Sequence, residues 1–208
     1  ALWDMGIRRV RLPIHDIVDD RVRNRVRDLA NSNHEFTILS SGIPNEAEQA
    51  AVIECAELID HWEIALPDFR LSEAIGILTE LKKKASVSIY FCKIRSKEDM
   101  VRSGDRFLHF INHGFVPEDR DQIKGYLADG KFSNVFSGFV FRVVRDESPW
   151  ERIPEIDTLA GDLNSKASIT IKMSDRNPAL MQVDDKSTAN HICEAFIANE
   201  LTSNSQVF

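Results

Sequence analysis

The chain has few cysteines, no long apolar run and no excess of basic residues. Its three cysteines, Cys55, Cys92 and Cys193, lie far apart, without the close spacing of a thiolate metal site. An odd number of free thiols suits a reducing compartment, so we expect a cytoplasmic protein. No apolar run approaches the roughly 18 residues of a membrane span, and no signal peptide is visible, so no membrane association is expected.

The formal net charge of -7 disfavours nucleic-acid binding, because that function needs a basic surface. Neither a Gly-x-Gly-x-x-Gly turn after the first strand nor a phosphate-binding Gly-Lys-Ser/Thr loop occurs. The 208 residues, 43% of them hydrophobic, are enough for one domain, which we place at 1–208. Residues 1–6 resemble the last turn of a helix and residues 205–208 the start of a strand, so we expect an excerpt of a longer chain.

Short apolar segments alternate along the chain with segments of helical periodicity. From one predicted strand to the next, the first seven recur at steps of 21 to 33 residues. This alternation predicts right-handed βαβ units and a parallel sheet. The predicted strands are 7–14, 36–40, 61–66, 86–93, 107–116, 135–144, 167–173 and, as a beginning only, 207–208.

Seven or eight strand–helix units favour a closed (β/α)₈ barrel, in this case truncated at one or both ends. The pattern resembles the broad TIM-barrel class, and the resemblance is one of architecture, which does not give a function by itself. The alternative is an open, doubly wound parallel sheet. In either case the resemblance implies a site at the carboxyl ends of the strands.

Period-two alternation gives most strands one apolar and one polar face. The apolar face suits contact with the helices, so the polar face is predicted to line the barrel. The strands at 107–116 and 135–144 are ambiguous, because both of their faces carry apolar residues. The predicted inward-facing residues are Arg11, Glu63, Ser88, Tyr90, His109, Arg142 and Lys172.

A buried charge is costly unless it is paired, so these residues either neutralise one another or hold a ligand. The structural interpretation pairs Arg11 or Lys172 with Glu63. The functional interpretation notes that several cations face one inward carboxylate. That imbalance predicts a small anionic metabolite, a carboxylate or a phosphate, as the partner.

Lys172 is the most distinctive candidate. A lysine inside a barrel loses solvation, which lowers its pKa and makes the neutral amine available to attack a carbonyl and form a Schiff base. His109 or His113 could transfer the proton, and Glu63 completes the predicted catalytic set. A plain ion-pair role for Lys172 stays equally open. The predicted substrate-binding residues are Arg11, Arg142, Tyr90, Ser88 and Lys93.

Three other chemistries are weaker. A divalent metal is an alternative to the expectation of no cofactor, with candidate ligands on several strand ends but no local His-Glu-x-x-His motif. A glycosidase would need Glu63 paired with Asp146, and a thiol nucleophile would need Cys92 beside His113. The candidate metal ligands are His15, Asp16, Asp68, His113 and Asp146.

Two classes of function follow. The first is an enzyme, a lyase, aldolase or isomerase, that acts on a small anionic carbonyl or sugar-type metabolite. The second is a non-catalytic or degenerate barrel that serves as a scaffold in a larger protein. A catalytic barrel should have an open pocket at the carboxyl ends of its strands, whereas a degenerate one should have that mouth filled by side chains. The sequence gives no indication of oligomeric state.

Overall fold

The computed structural model describes residues 8–99, 113–173 and 184–208. In these residues it shows an α/β fold with one seven-stranded, all-parallel sheet whose strands follow one another in sequence order. All seven lie at predicted places. The strands are β1 (Arg9–Pro13), β2 (Glu35–Ser41), β3 (Ile59–Leu66), β4 (Ser88–Lys93), β5 (Phe136–Val144), β6 (Lys166–Lys172) and β7 (Ser205–Val207).

Helices connect the strands. Asp19 caps α1 by accepting a hydrogen bond from the Arg21 amide, and Asn45 and Glu48 form a reciprocal capping box at α2. The sequence predicts a loop around Pro149 and a helix at 156–163, but the structure begins this helix seven residues earlier, with Pro149 in the first helical position. The helices are α1 (Asp20–Ala30), α2 (Glu46–Glu54), α3 (Leu71–Lys84), α4 (Arg120–Ala128), α5 (Gly130–Ser133), α6 (Pro149–Asp162) and α7 (Asp185–Asn199).

The sheet is curled into a half-barrel. Arg11 on β1 donates hydrogen bonds to Ser168 and Thr170 on β6, although four strands separate β1 from β6 in the sheet order. Within the described residues no backbone pairing joins β1 to β7, so the sheet is open between these two edges. The sheet is therefore open, as in the predicted alternative, but its strands follow one another in sequence order, as in a barrel. It does not form a full (β/α)₈ barrel.

The predicted strand at 107–116 is only partly within the described residues. Its described end inserts between the carboxyl ends of β4 and β5. The Gly114 amide donates to the Lys93 carbonyl, and Phe115 forms one parallel bridge with Phe141. Phe115 thus pairs like a strand over one residue only. It lies between the carboxyl ends of β4 and β5, where a barrel would have a further strand.

The apolar strand faces pack against the helices, as the alternation predicted. Trp62 is fully buried and satisfies its indole N–H by donating to the Ser40 hydroxyl at 2.8 Å. On β5 the ambiguity resolves, because Phe139, Phe141 and Val143 belong to this core and Arg142 faces the concave side.

No helix in the described ranges is long and apolar enough to cross a membrane.

Gly138 allows β5 and β6 to approach closely. A Cβ atom at this position would lie 2.6 Å from the backbone oxygen of Lys166, so Gly138→Ala should destabilise the fold by about 2 kcal/mol through steric overlap. Gly76→Ala is the matched control, because nothing in the described chain lies within 4 Å of its Cβ position and alanine favours a helix interior. Urea unfolding measures both variants. Equal stability of the two would contradict the close approach.

Candidate functional site

The concave face of the sheet is held together at its centre by Arg11 and Glu63. The Arg11 Nη2 atom lies 2.7 Å from Glu63 Oε1 and 3.1 Å from the Ser168 hydroxyl, and Nη1 lies 2.8 Å from the Thr170 hydroxyl. Ser168 also donates to Glu63 Oε1. These strand residues all belong to the polar faces that the alternation placed inside. The predicted inward positions of Arg11 and Glu63 are therefore confirmed.

His61 is a second hydrogen-bond partner of Glu63. Its Nε2 lies 3.4 Å from Glu63 Oε1, and its Nδ1 lies 2.8 Å from Asp60 Oδ2. Burial opposes a charged imidazole, but the hydrogen bonds to Asp60 and Glu63 outweigh it and raise the pKa of His61. Burial likewise opposes the Glu63 carboxylate, but His61, the charge of Arg11 and the Ser168 bond together lower the pKa of Glu63.

A cavity of about 530 Å³ opens at the carboxyl ends of the strands. This volume lies in the range of small-molecule pockets. Both the central pair and the strand-end residues reach it. The cavity is lined by Arg11, Pro13, Ile14, His15, Leu39, Ser40, Ser41, Glu48, Glu63, Ala65, Cys92, His113, Val140, Thr170 and Lys172.

Lys172 and His113 both line this cavity, and the pKa of each is lowered. Burial lowers the pKa of Lys172, and the positive charges of Arg11 and Arg142 act in the same direction, against the opposite effects of Cys92 and Glu63. Burial also lowers the pKa of His113, with Lys172 and Arg142 adding to the effect. The cavity thus favours a neutral imidazole beside a lysine that gives up its proton more readily than in water.

Cys92 faces the same cavity but is a poor nucleophile. Burial raises the pKa of its thiol to about 12, and the positive charges of Lys172 and Arg11 offset this only in part. The thiolate is the reactive form of cysteine, so the thiol is inert near neutral pH. This geometry does not favour the alternative of a Cys92–His113 nucleophile.

Four of the predicted site residues lie elsewhere or outside the described residues. His109 falls within 100–112, which the structure does not describe. Ser88 is exposed at the amino end of β4, and Tyr90 lines a second cavity of about 520 Å³ at the amino ends of the strands. Lys93 is fully buried on the opposite face of β4, among the helices.

The position of Lys93 follows from strand alternation. Tyr90 and Cys92 face inward, so Lys93, the next residue along, faces outward. Its ammonium lies 2.5 Å from Asp99 Oδ1 and 2.7 Å from Gln122 Oε1. Lys93 therefore does not line the cavity, and the prediction that it binds substrate there lacks structural support.

Three central residues were not among the predicted site residues. His61, Ser168 and Thr170 each lie on the polar face of a predicted strand, and that alternation was the available signal. Their meeting depends on the curl of the sheet, which the alternation does not specify.

The candidate metal ligands do not lie together in a metal site. Within residues 8–99, 113–173 and 184–208, no group of three or more His, Cys, Asp or Glu side chains lies close enough to hold an ion. His15 is 73% exposed and pairs with Asp16, and Asp68 accepts from Tyr126 and Gln122 on the outer side.

The Arg11–Glu63 pair should contribute strongly to stability. Arg11→Met leaves a buried carboxylate without its main charge partner, so we expect a loss of about 3 kcal/mol in the free energy of unfolding. Lys83→Met is the control, because its partner Glu80 is exposed and the pair should contribute little.

Arg11→Met should also change how the free energy of unfolding depends on pH. Because the pKa of Glu63 is lowered in the folded chain, its stabilisation is present above its ordinary value of 4.5 and is lost as the pH falls through the folded value. Urea unfolding between neutral and acid pH should show a smaller acid loss in Arg11→Met than in the native chain. An unchanged acid dependence would mean that Arg11 does not hold this carboxylate in its charged form.

Comparison with known proteins gives no family. No protein-family model matches the chain, and no curated protein matches it. Among solved structures, the N-terminal domain of a "putative aldolase" from Bacteroides vulgatus is 12% identical, with 88% of this chain and 70% of that chain covered and a TM-score of 0.41. RipC from Yersinia pestis is 16% identical, with 97% and 83% covered and a TM-score of 0.42. Likenesses this weak carry no argument about activity.

Proposed function

We propose that this chain is a barrel-type enzyme that acts on a small anionic carbonyl or sugar-type metabolite, as a lyase, aldolase or isomerase, through a Schiff base on Lys172. The observation that carries the proposal is the position of Lys172 in the 530 Å³ cavity at the carboxyl ends of the strands, where burial lowers the pKa of its amine. A depressed pKa is what a nucleophilic lysine needs near neutral pH.

The proposal includes a more complete barrel than the described sheet. Support comes from contacts between its edges. The Arg11 guanidinium lies 4.4 Å from the ring centre of Phe208, and Phe208 contacts His61 on β3 edge-on. The bridge at Phe115 supplies a further strand position between β4 and β5. These contacts favour a common interior enclosed by strands from both ends of the sequence.

The chemistry begins with the neutral Lys172 amine. Its lone pair attacks the carbonyl carbon of the substrate, and loss of water from the resulting carbinolamine gives the iminium ion. His113, whose lowered pKa favours the neutral imidazole, accepts the proton that the amine loses and passes it to the carbonyl oxygen, which becomes the carbinolamine hydroxyl. A second proton, which His113 takes up from solvent, lets that hydroxyl leave as water. Glu63, kept ionised by Arg11 and His61, serves the later proton transfer at the carbon next to the iminium.

The anionic group of the substrate binds near Lys172 and Arg142. Both charges act on His113, so both lie close to the end of the cavity that His113 lines. Arg11, a predicted anion-binding residue, already gives hydrogen bonds to Glu63, Ser168 and Thr170. Its charge is therefore mostly used inside the sheet.

The scaffold hypothesis has one observation in its favour. The centre of the sheet is filled by a polar network in which Arg11 pairs with Glu63 and His61 contacts both Glu63 and Asp60. The cavity at the carboxyl ends supports the enzyme instead, because a degenerate barrel is expected to have that mouth filled. Reactivity of Lys172 decides between the two.

We expect pyruvate and cyanoborohydride to label Lys172. The hydride reduces the imine to a stable secondary amine, which peptide mass spectrometry locates. Lys172→Met should lose the label, whereas Lys166→Met, at the exposed amino end of the same strand face, should keep it. The labelling rate should rise with pH with a midpoint below the ordinary lysine value of 10.5. Labelling spread over surface lysines, with no loss in Lys172→Met, would contradict the Schiff-base role.

Small anions should stabilise the folded chain. A bound anion raises the free energy of unfolding by about 2.7 kcal/mol at a hundredfold excess over its dissociation constant. Melting temperatures in phosphate, sulfate, citrate and a neutral sugar at matched ionic strength measure the effect. The stabilisation should disappear in Lys172→Met and persist in Lys166→Met. An equal response to the neutral sugar would mean that the polar interior is self-neutralising and binds no anion.

A further inference from the structure

Three side chains of β3 connect the two ends of the curled sheet. Asp60, with 48% of its side chain exposed, lines the polar cavity at the amino ends of the strands. Glu63 lines the cavity at the carboxyl ends. His61 is 2% exposed and hydrogen-bonds both carboxylates, with Asp60 on Nδ1 and Glu63 on Nε2. Through these two carboxylates, the buried His61 ring connects the cavity at the amino ends of the strands with the cavity at their carboxyl ends.

The ring of His61 is held in one orientation. It stacks on Tyr90 with the ring centres 4.5 Å apart, and it meets Phe208 edge-on at 5.4 Å. These contacts keep each ring nitrogen directed at its own carboxylate. An imidazole fixed between two acids can accept a proton on one nitrogen while it releases a proton from the other.

We propose that Asp60, His61 and Glu63 form a proton relay between the cavity at the carboxyl ends and the solvent at the amino ends. A proton taken up by Glu63 moves to Nε2 of the neutral ring, and the proton on Nδ1 moves to Asp60 and from there to water. One proton enters, one leaves, and the N–H electron pair stays on Nδ1. The reverse transfer returns the proton to Glu63 and restores the first tautomer.

The surrounding charges suit this transfer. The imidazolium is the intermediate, and the two carboxylates keep it accessible by raising the pKa of His61 against the effect of burial. Arg11 and Lys172 face Glu63 from β1 and β6, and the Cys92 thiol and Tyr90 hydroxyl face it from β4. The thiol and the hydroxyl both have a pKa raised to about 12, so neither competes with His61 for the proton that passes between the carboxylates.

The role of the relay in catalysis rests on the proposed function. After the Schiff base forms, a lyase, aldolase or isomerase removes or adds a proton at the neighbouring carbon, and Glu63 faces that cavity. Passing this proton to His61 restores the Glu63 carboxylate without admitting water to the centre of the sheet. The relay itself needs no substrate and is measurable in the free protein.

The test is ¹⁵N nuclear magnetic resonance of the histidine rings. Above the pH at which His61 loses its charge, a relay requires the remaining proton to be shared between the two ring nitrogens, so their shifts should be averaged. Asp60→Asn should move that proton toward Nε2, and Glu63→Gln should remove the exchange. A purely structural His61 would carry its proton on Nδ1 alone in the native chain, and this result would overturn the relay.

His34 is the internal control. It is also buried, and its Nδ1 bonds the backbone oxygen of Leu29, so its shifts should be the same in the native chain and in both variants. Asp60 is partly exposed, so Asp60→Asn should fold normally, and its melting curve checks this. Changes at His34 as large as those at His61 would show a general rearrangement and would count against the relay.

A second measurement separates the relay from the proposed function. Exchange of the pyruvate methyl protons with D₂O should slow by about a hundredfold in His61→Asn, while labelling of Lys172 stays unchanged. Averaged ring shifts without any labelling of Lys172 would reject the Schiff base and keep the relay. Labelling with a fixed His61 tautomer would reject the relay and keep the Schiff base.

Discussion

One carboxylate oxygen organises the concave side of this sheet. Glu63 Oε1 accepts hydrogen bonds from Arg11 on β1 and from Ser168 on β6, and Nε2 of His61 on its own strand lies 3.4 Å from it. In a flat sheet β1 and β6 would lie five strand spacings apart, roughly 24 Å, so these donors reach one atom only because the sheet curls. An ionised carboxylate at 5% exposure is costly without such partners. The curvature of the sheet and the charge of Glu63 therefore depend on each other.

The concave interior has two levels along the strands: the hydrogen-bonded centre around Glu63 and the cavity at the carboxyl ends. At the centre, Arg11 pairs with Glu63 and His61 joins Glu63 to Asp60, so the polar groups of this level have partners within the chain. Toward the carboxyl ends, burial lowers the pKa of His113, and the charges of Lys172 and Arg142 add to the effect. The two interpretations that the sequence left open, self-neutralisation and anion binding, need not exclude each other, because they concern different levels. The centre fixes the geometry of the sheet, and the proposed Schiff base lies at the carboxyl ends.

The sequence predicts the strands well and the site in part. Period-two alternation depends on local burial, so it located the seven strands of the described sheet and placed Arg11 and Glu63 on the concave face. It could not predict which inward residues meet, because the Ser168 contact spans 105 residues and depends on the curl. His61 was assigned to the polar face but not to the site, since its contacts with Asp60 and Glu63 are visible only in the structure. The position of Pro149 within a helix was missed because proline also suits a loop.

Lys93 and Lys172 show why the face of a strand matters more than the type of residue. Both end a strand at the carboxyl side of the sheet, so position along the strand does not separate them. Lys93 faces the helices, where Asp99 and Gln122 hold its ammonium and the neighbouring Arg95 pairs with Asp119. There the side chain of Lys93 is enclosed by its partners and does not reach the cavity. Lys172 faces the cavity instead, and there burial lowers the pKa of its amine, which is the property that the proposed Schiff base requires.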